Sequence, residues 1–278
     1  MYQTIRYEKN GNIGIATINR PEALNALNST VISELEQLIS EVEKDAELGA
    51  FIITGEGRSF CAGFNLNDLA LDPPEDMGRI QRDFYIMQRM CSDQIINMRR
   101  CEQPIIGALK GFAVGGGLSI SCACDMRVLG ESYKMNAGYL SIGYTGTDMG
   151  GSFFLPKIVG YARACEILMN PRRFKAETLA EWGYAVKVVP DEEVVEEAVK
   201  LAEEICRETS PFGLRLTKEA LQSSLDGLSL ADQVKMENRN QVLAANTQDA
   251  YWGMQKMNPK NREEVKAHPE KYVITNNL

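Results

Sequence analysis

Histidine is nearly absent: the 278 residues contain one. Zinc centres and Ser-His or Cys-His machinery usually draw on histidine. The single one, His268, sits in the polar stretch Val265-Lys266-Ala267-His268-Pro269-Glu270 and is expected to be a solvated residue near the C-terminus. Acid–base chemistry is therefore expected to run on carboxylates, tyrosine or backbone groups, with no metal. Positive charge is also in deficit, with 30 Lys+Arg against 38 Asp+Glu for a net charge of −8. A pI near 5.0 and the lack of a basic run argue against nucleic acid or an anionic membrane as partner. No stretch approaches the roughly 18–20 uninterrupted apolar residues of a membrane helix. The opening Met1-Tyr2-Gln3-Thr4-Ile5-Arg6-Tyr7-Glu8 lacks the basic-then-apolar order of a signal peptide. The seven cysteines (Cys61, Cys91, Cys101, Cys122, Cys124, Cys165, Cys206) are odd in number, scattered and form no CxxC pair. Free thiols in a reducing cytoplasm are expected.

What is present suits a soluble globular chain, with 44% hydrophobic and 24% charged residues. The length allows one large domain, or a core with an appendage. Thr4-Ile5-Arg6-Tyr7-Glu8 and Ile13-Gly14-Ile15-Ala16-Thr17-Ile18 read as a hairpin around Asn10-Gly11. Asn28 or Ser29 then caps a helix with Val31, Ile32, Leu35, Leu38, Ile39 and Val42 on one face. Ala50-Phe51-Ile52-Ile53-Thr54 reads as a buried strand and the stretch 59–68 as a loop. After Pro73-Pro74 comes a long amphipathic helix with Met77, Ile80, Phe84, Met87, Cys91, Ile95 and Met98 on one side. That stripe suits core packing, or the lining of an irregular pocket. Ile105-Ile106-Gly107-Ala108-Leu109 and Asp125-Met126-Arg127-Val128-Leu129 read as further strands. The C-terminal third reads as helices, including 177–182 and 192–208, the latter with Val194, Val195, Ala198, Leu201, Ala202 and Ile205 inward. Strand material is expected mainly before about residue 145. The expectation is an α/β core over 1–200 followed by a helical region over 201–278.

Gly111-Phe112-Ala113-Val114-Gly115-Gly116-Gly117 invites a nucleotide reading but fails its tests. The spacing is not G-x-G-x-x-G, and the Gly-Lys-Ser/Thr of a P-loop is missing. What remains is a strand, a glycine turn and a helix start. Free N–H groups at a helix N-terminus favour negative charge, whether a phosphate or a developing oxyanion.

A second turn, Phe60-Cys61-Ala62-Gly63-Phe64-Asn65-Leu66, follows the 50–54 strand. With it the sequence resembles the crotonase (enoyl-CoA hydratase/isomerase) superfamily. The matching motifs are Asn19-Arg20-Pro21-Glu22-Ala23-Leu24-Asn25-Ala26-Leu27, then Ser59-Phe60-Cys61-Ala62-Gly63-Phe64-Asn65-Leu66, then the run from Pro104 to Gly117 with Cys124-Asp125 after it. Leu155-Pro156-Lys157-Ile158-Val159-Gly160 and Ala180-Glu181-Trp182-Gly183 complete the series. Each motif is weak alone, but the order and spacing are specific, and the likeness spans roughly residues 4–257.

The resemblance implies a spiral of ββα turns with a helical C-terminal trimerisation region, assembled as a homotrimer or a dimer of trimers. It implies an acyl-CoA substrate, with coenzyme A part of that substrate and no separate cofactor. It implies an oxyanion hole made by the backbone N–H groups of Phe64 and Gly116, donors worth on the order of 3–4 kcal/mol each. Ala23, Leu24, Ala62, Asn65 and Leu66 would lie along the CoA adenine and pantetheine, although many relatives carry Asp where Asn65 stands.

One departure matters. The family's hydratases use two glutamates, one two residues after the glycine triplet and one fourteen residues after Cys-Asp; here those positions hold Ser119 and Tyr139. Asp148, in Gly143-Tyr144-Thr145-Gly146-Thr147-Asp148-Met149-Gly150, is the best replacement, and its setting resembles the dienoyl-CoA isomerase branch. A carboxylate in an apolar acyl pocket would have its pKa raised into a useful range. The competing role for Asp148 is a helix cap. Tyr139 and Tyr144 are candidate proton donors or orienting hydroxyls, with Tyr144 also placed along the substrate. Ser119 is a candidate for positioning water or substrate. Asp125 reads as structural, and Asp68 and Asp72 flank the loop after the oxyanion turn. The expected activity is hydration or double-bond isomerisation of an enoyl-CoA. The alternatives are thioester hydrolysis, decarboxylation or dehalogenation on the same fold, or CoA-thioester binding without catalysis.

Overall fold

The computed structural model describes residues 2–65 and 77–269. Strands β1 (Ile5–Asn10) and β2 (Ile13–Ile18) pair antiparallel with Asn10 opposite Ile13. The reversal is therefore Gly11-Asn12 rather than Asn10-Gly11, with Gly11 supplying the positive φ of 61°. Helix α1 (Ser29–Lys44) starts where Asn28 Oδ1 accepts the Val31 N–H at 2.9 Å. Its expected apolar face is the buried one: Val31, Ile32, Leu35, Leu38, Ile39 and Val42.

From β2 the chain builds a parallel sheet. Strands β3 (Ala50–Gly55), β4 (Ile105–Leu109), β6 (Met126–Gly130) and β9 (Lys187–Val189) extend it in the order β1-β2-β3-β4-β6-β9. Every residue of β3 and β4 is buried, as a parallel sheet covered on both faces requires. Side chains alternate across it. Phe51, Ile53, Ile105, Leu109 and Leu129 join the larger core with α1, whereas Ala50, Ile52, Ile106, Ala108 and Val128 face helix α7 (Val194–Glu208). On α7, Val194, Ala198 and Ala202 fill that layer, but Val195 is 37% exposed, contrary to the inward position expected. A smaller sheet, β5 (Phe112–Val114), β7 (Lys134–Asn136) and β8 (Phe174–Lys175), lies beside the first. Strands β8 and β9 lie well past residue 145, where mainly helix was expected. They are two and three residues long, too short to carry a period-2 signal.

The remaining helices are α2 (Met77–Arg100), α3 (Gly116–Ala123), α4 (Gly151–Val159), α5 (Tyr161–Met169) and α6 (Ala176–Glu181). Beyond α7 come α8 (Pro211–Leu225), α9 (Leu230–Ala245), α10 (Gln248–Met257) and α11 (Arg262–Ala267). No helix among the described residues is long and apolar enough to cross a membrane. All seven cysteines are free thiols.

Two polar side chains tie this frame together. Asn25, fully buried, accepts the Arg20 N–H at 2.8 Å and donates to the Glu56 and Ser59 carbonyls at 2.9 and 2.7 Å. Arg127, 7% exposed, donates Nε to the Tyr184 carbonyl at 2.6 Å and Nη1 to the Cys124 carbonyl at 2.5 Å. It thus places a cation at the C-terminal end of α3, where the helix dipole favours one. Replacing Asn25 by Ala would strand two buried carbonyls and one N–H. The Asn25→Ala variant is expected to lose about 2–4 kcal/mol in urea denaturation. A loss under about 0.5 kcal/mol would show that the clamp is dispensable.

Candidate active site

Segment 61–65 runs between two neighbours that satisfy it alternately. On one side Cys61 N–H donates to the Phe112 carbonyl at 2.9 Å, and Val114 N–H donates to the Cys61 carbonyl at 3.0 Å. On the other side Ala62 N–H donates to the Leu24 carbonyl at 3.0 Å, Leu27 N–H to the Gly63 carbonyl at 2.7 Å and Asn65 N–H to the Leu27 carbonyl at 2.9 Å. The parallel bridge between Leu27 and Phe64 uses the flanking peptide groups. The N–H of Phe64 itself is therefore turned away from Leu27. It has no backbone acceptor among the described residues.

Helix α3 meets this segment end-on. Gly115 caps it with φ 54° and ψ −116°, and Gly116 is its first residue, so the Gly116 N–H is one of the first-turn donors a helix leaves unpaired. The approach is close. A Cβ on Gly117 would stand 2.3 Å from the Cys61 carbonyl oxygen, and one on Gly116 would stand 3.4 Å from Phe64 Cε2 and 2.7 Å from Leu27 Cδ1. The structure thus brings Phe64 and Gly116 together. Ala23, Leu24, Ala62 and Asn65 lie half-buried along the same edge, with Leu24 in the left-handed region at φ 52°. Leu66, Asp68 and Asp72 lie outside the described residues, as do the side chains of Met77, Ile80, Phe84 and Met87.

One turn into α3, Ser119 is fully buried, and its hydroxyl lies 3.2 Å from the Tyr139 hydroxyl. Ser119 Oγ also donates to the Asp148 carbonyl at 3.0 Å. Ser119, Tyr139 and Asp148 therefore form one cluster behind the oxyanion turn. Asp148 does not cap α4, whose N-cap is Gly150. Its Oδ1 instead accepts the Met149 N–H at 2.8 Å and the side-chain amide of Gln88 from α2. Met149 is buried with φ 45°, and its Sδ stands 3.5 Å from where a Gly116 Cβ would be. A buried residue other than glycine in the left-handed region marks backbone held by its surroundings, which is common at functional sites.

Tyr144 belongs to the next turn: its N–H donates to the Tyr139 carbonyl at 3.0 Å and its side chain is 46% exposed. Asp125 is structural as expected, accepting the Ile105 N–H at 2.7 Å and pairing with Lys218 at 2.7 Å. Gln88 and Met149 were not among the residues singled out from sequence. Gln88 was legible in retrospect, being a polar residue three positions before Cys91 on the apolar stripe of α2.

The electrostatics of the cluster follow from burial. Burial pushes the Asp148 carboxyl above the ordinary aspartate range, while the bonds from Met149 and Gln88 and the Tyr139 hydroxyl beside it pull it partly back. Burial, then the charge of Asp148, holds Tyr139 well above the usual tyrosine value. The same two causes push Cys91 up to about 12, and burial alone takes Cys61 there. Neither thiol is a nucleophile at neutral pH. Tyr139 stays protonated near neutral pH, and among the described residues Asp148 is the carboxylate whose charge acts on it. Among the described residues no cluster of His, Cys, Asp and Glu could hold a metal ion.

The chain is similar to known proteins over most of its length. A family-wide sequence profile described as Enoyl-CoA hydratase/isomerase matches residues 8–266. A probable enoyl-CoA hydratase of Mycobacterium bovis is 32% identical over 240 residues, covering 84% of this chain and 83% of its own. A 1,2-epoxyphenylacetyl-CoA isomerase of Escherichia coli is also 32% identical, with 84% and 87% covered. The crystal structure of an enoyl-CoA hydratase from Bacillus anthracis superposes with a TM-score of 0.85 at 27% identity, over 91% of this chain and 95% of that one.

An aspartate whose folded pKa lies above that of the free side chain weakens the fold once it ionises. The penalty is absent below about pH 4, where folded and unfolded forms are both protonated, and complete above the raised value. Asn at position 148 keeps the acceptor oxygen and removes the charge. The melting temperature of Asp148→Asn is therefore expected to exceed the wild type's near about pH 8, with the gap closing toward about pH 4. A lower melting temperature at the higher pH would contradict the raised carboxyl.

Proposed function

The chain belongs to the enoyl-CoA hydratase/isomerase family, and from that premise we propose that it shifts a double bond along the acyl chain of an enoyl-CoA ester. The observation that carries this reading is the lone carboxylate: among the described residues, Asp148 is the acid whose charge reaches the buried Tyr139 hydroxyl. In this reaction the Phe64 and Gly116 N–H groups donate to the thioester carbonyl oxygen. Asp148 takes a proton from Cγ of a 2-enoyl ester or from Cα of its 3-enoyl isomer, and the electron pair moves onto the oxygen as an enolate. Asp148, now a carboxylic acid, returns the proton at the other end of the conjugated system, and the carbonyl reforms. One group serves as base and then acid, so no second carboxylate is needed at the positions held by Ser119 and Tyr139. Two N–H donors aimed at developing charge act without reorganisation, which is why they lower the barrier more than hydrogen bonds in water would.

Ala23, Leu24, Ala62 and Asn65 form the edge that would receive the adenine and pantetheine of coenzyme A, which enters as part of the substrate. Hydration is the second reading, favoured by the position of Tyr139. Adding water needs a group to hold the attacking molecule, and that hydroxyl lies beside Asp148. A homotrimer fits the apolar side chains left exposed on the C-terminal helices, among them Leu221, Leu230, Val242, Met254 and Met257.

Proline is tolerated at the first position of a helix, so Gly116→Pro removes the N–H while the Cβ it adds displaces the Leu27 side chain, whose Cδ1 lies 2.7 Å from that position. On a panel of 2-enoyl- and 3-enoyl-CoA esters with short, medium and aromatic chains, its kcat is expected to fall about 10²–10³-fold. Unchanged turnover would refute the oxyanion role. Asp148→Asn should lose about 10²-fold or more, and a loss under about threefold would remove Asp148 from the mechanism. Mass analysis of the products separates an isomer of equal mass from a hydrated, hydrolysed or decarboxylated one.

A further inference from the structure

Three elements converge on Asp148, and the Gln88 and Met149 donors to its carboxyl both fall on one oxygen. Oδ1 accepts the side-chain amide of Gln88, from α2, and the N–H of Met149, from its own turn at 2.8 Å. Ser119 Oγ, from α3, holds the backbone carbonyl of the same residue at 3.0 Å. Cys91, three positions after Gln88, is fully buried and feels the charge of Asp148, so this face of α2 is turned toward the carboxylate. We infer that Gln88 is a positioning residue that pins Oδ1 of Asp148 and leaves Oδ2 as the oxygen that exchanges the proton.

The chemistry favours this division. A carboxylate oxygen that accepts two N–H bonds is the less basic of the pair, and protonation at Oδ2 preserves both bonds. The planar carboxyl is then oriented by two fixed donors from two elements, so Oδ2 is presented at one place in both protonation states. Among the described residues, the titratable groups facing the carboxylate are Tyr139, from the turn after β7, and Cys91, from α2; both stay protonated near neutral pH. Among the described residues, no lysine or arginine contributes to its shift. The inference rests on Asp148 being the base, and it adds a residue that touches neither the thioester oxygen nor the reacting carbons.

Two measurements test it. The first needs no turnover: the ¹³C titration of the Asp148 carboxyl, identified by its absence in Asp148→Asn. Gln88→Met removes the donor at nearly constant volume and is expected to move that titration up by about one pH unit. Gln88→Lys, which brings a cation, is expected to move it down. A titration in Gln88→Met that coincides with the wild type's overturns the inference. The second is the pH profile of kcat/KM for the enoyl-CoA ester that the wild type turns over best. Its acidic limb should follow the titration in both variants, with kcat of Gln88→Met down about tenfold or more and KM little changed. If Asp148→Asn keeps its turnover, the assignment of the base falls, whereas the titration still reports on Gln88. If Asp148→Asn is inactive and the acidic limb of Gln88→Met does not move, the positioning role falls and the base stands.

Discussion

The close approach of the first turn of α3 to the chain at 61–64 is the constraint on which the rest of the site depends. It exists because three glycines leave room for it. Gly63 runs at φ 88° with its α-carbon face against the Val114 carbonyl, Gly115 turns the chain at φ 54°, and Gly117 lies where any Cβ would meet Cys61. The strand bridges on both sides of 61–65 consume the neighbouring peptide groups and leave Phe64 between them. The Phe64 N–H thus has no backbone acceptor among the described residues, and the Gly116 N–H belongs to the first turn of α3, whose donors a helix leaves unpaired.

The second half of the site depends on the first, because Ser119 belongs to the same helix as Gly116. Its hydroxyl reaches both Tyr139 and the Asp148 carbonyl, so Ser119 and Tyr139 form a hydroxyl pair that braces a third residue. Burial then sets the roles. A phenol with its pKa raised remains a donor, and a carboxyl raised by the same cause becomes a better base than an ordinary aspartate. The Arg127 cation at the far end of α3 keeps that helix in place without lending its charge to Asp148.

Much of this was legible before any coordinates. Period-3.6 spacing gave away α1 and its whole buried face, and runs of β-prone apolar residues gave away β3 and β4. Residue type and position offered Asn28 or Ser29 as the cap of α1, and Asn28 is the one that accepts the Val31 N–H. The motifs around Phe64 and Gly116 pointed to their meeting, which the fold brings about. The misreadings have particular causes. Val195 has an apolar side chain at a helical position whose angle lies just outside the covered arc of α7. Strands β8 and β9 are short and gain their order from pairing with β7 and β6, a partnership no local pattern announces. Tyr144 shares a turn with Tyr139 but faces outward, since one residue's step along a turn swings a side chain to another side.

By itself the sequence determined α1 with its buried face, the buried strands β3 and β4 and the glycine turn before α3, because periodicity, glycine placement and cap chemistry act between neighbours in the chain. Only the tertiary structure decided the surroundings of Asp148. Its partners Gln88, Ser119 and Tyr139 lie 60, 29 and 9 residues away, and the bonds and burial they impose arise from packing between α2, α3 and the turn after β7. A carboxylate's pKa and the oxygen it presents are properties of that surrounding, which residue type and spacing do not specify.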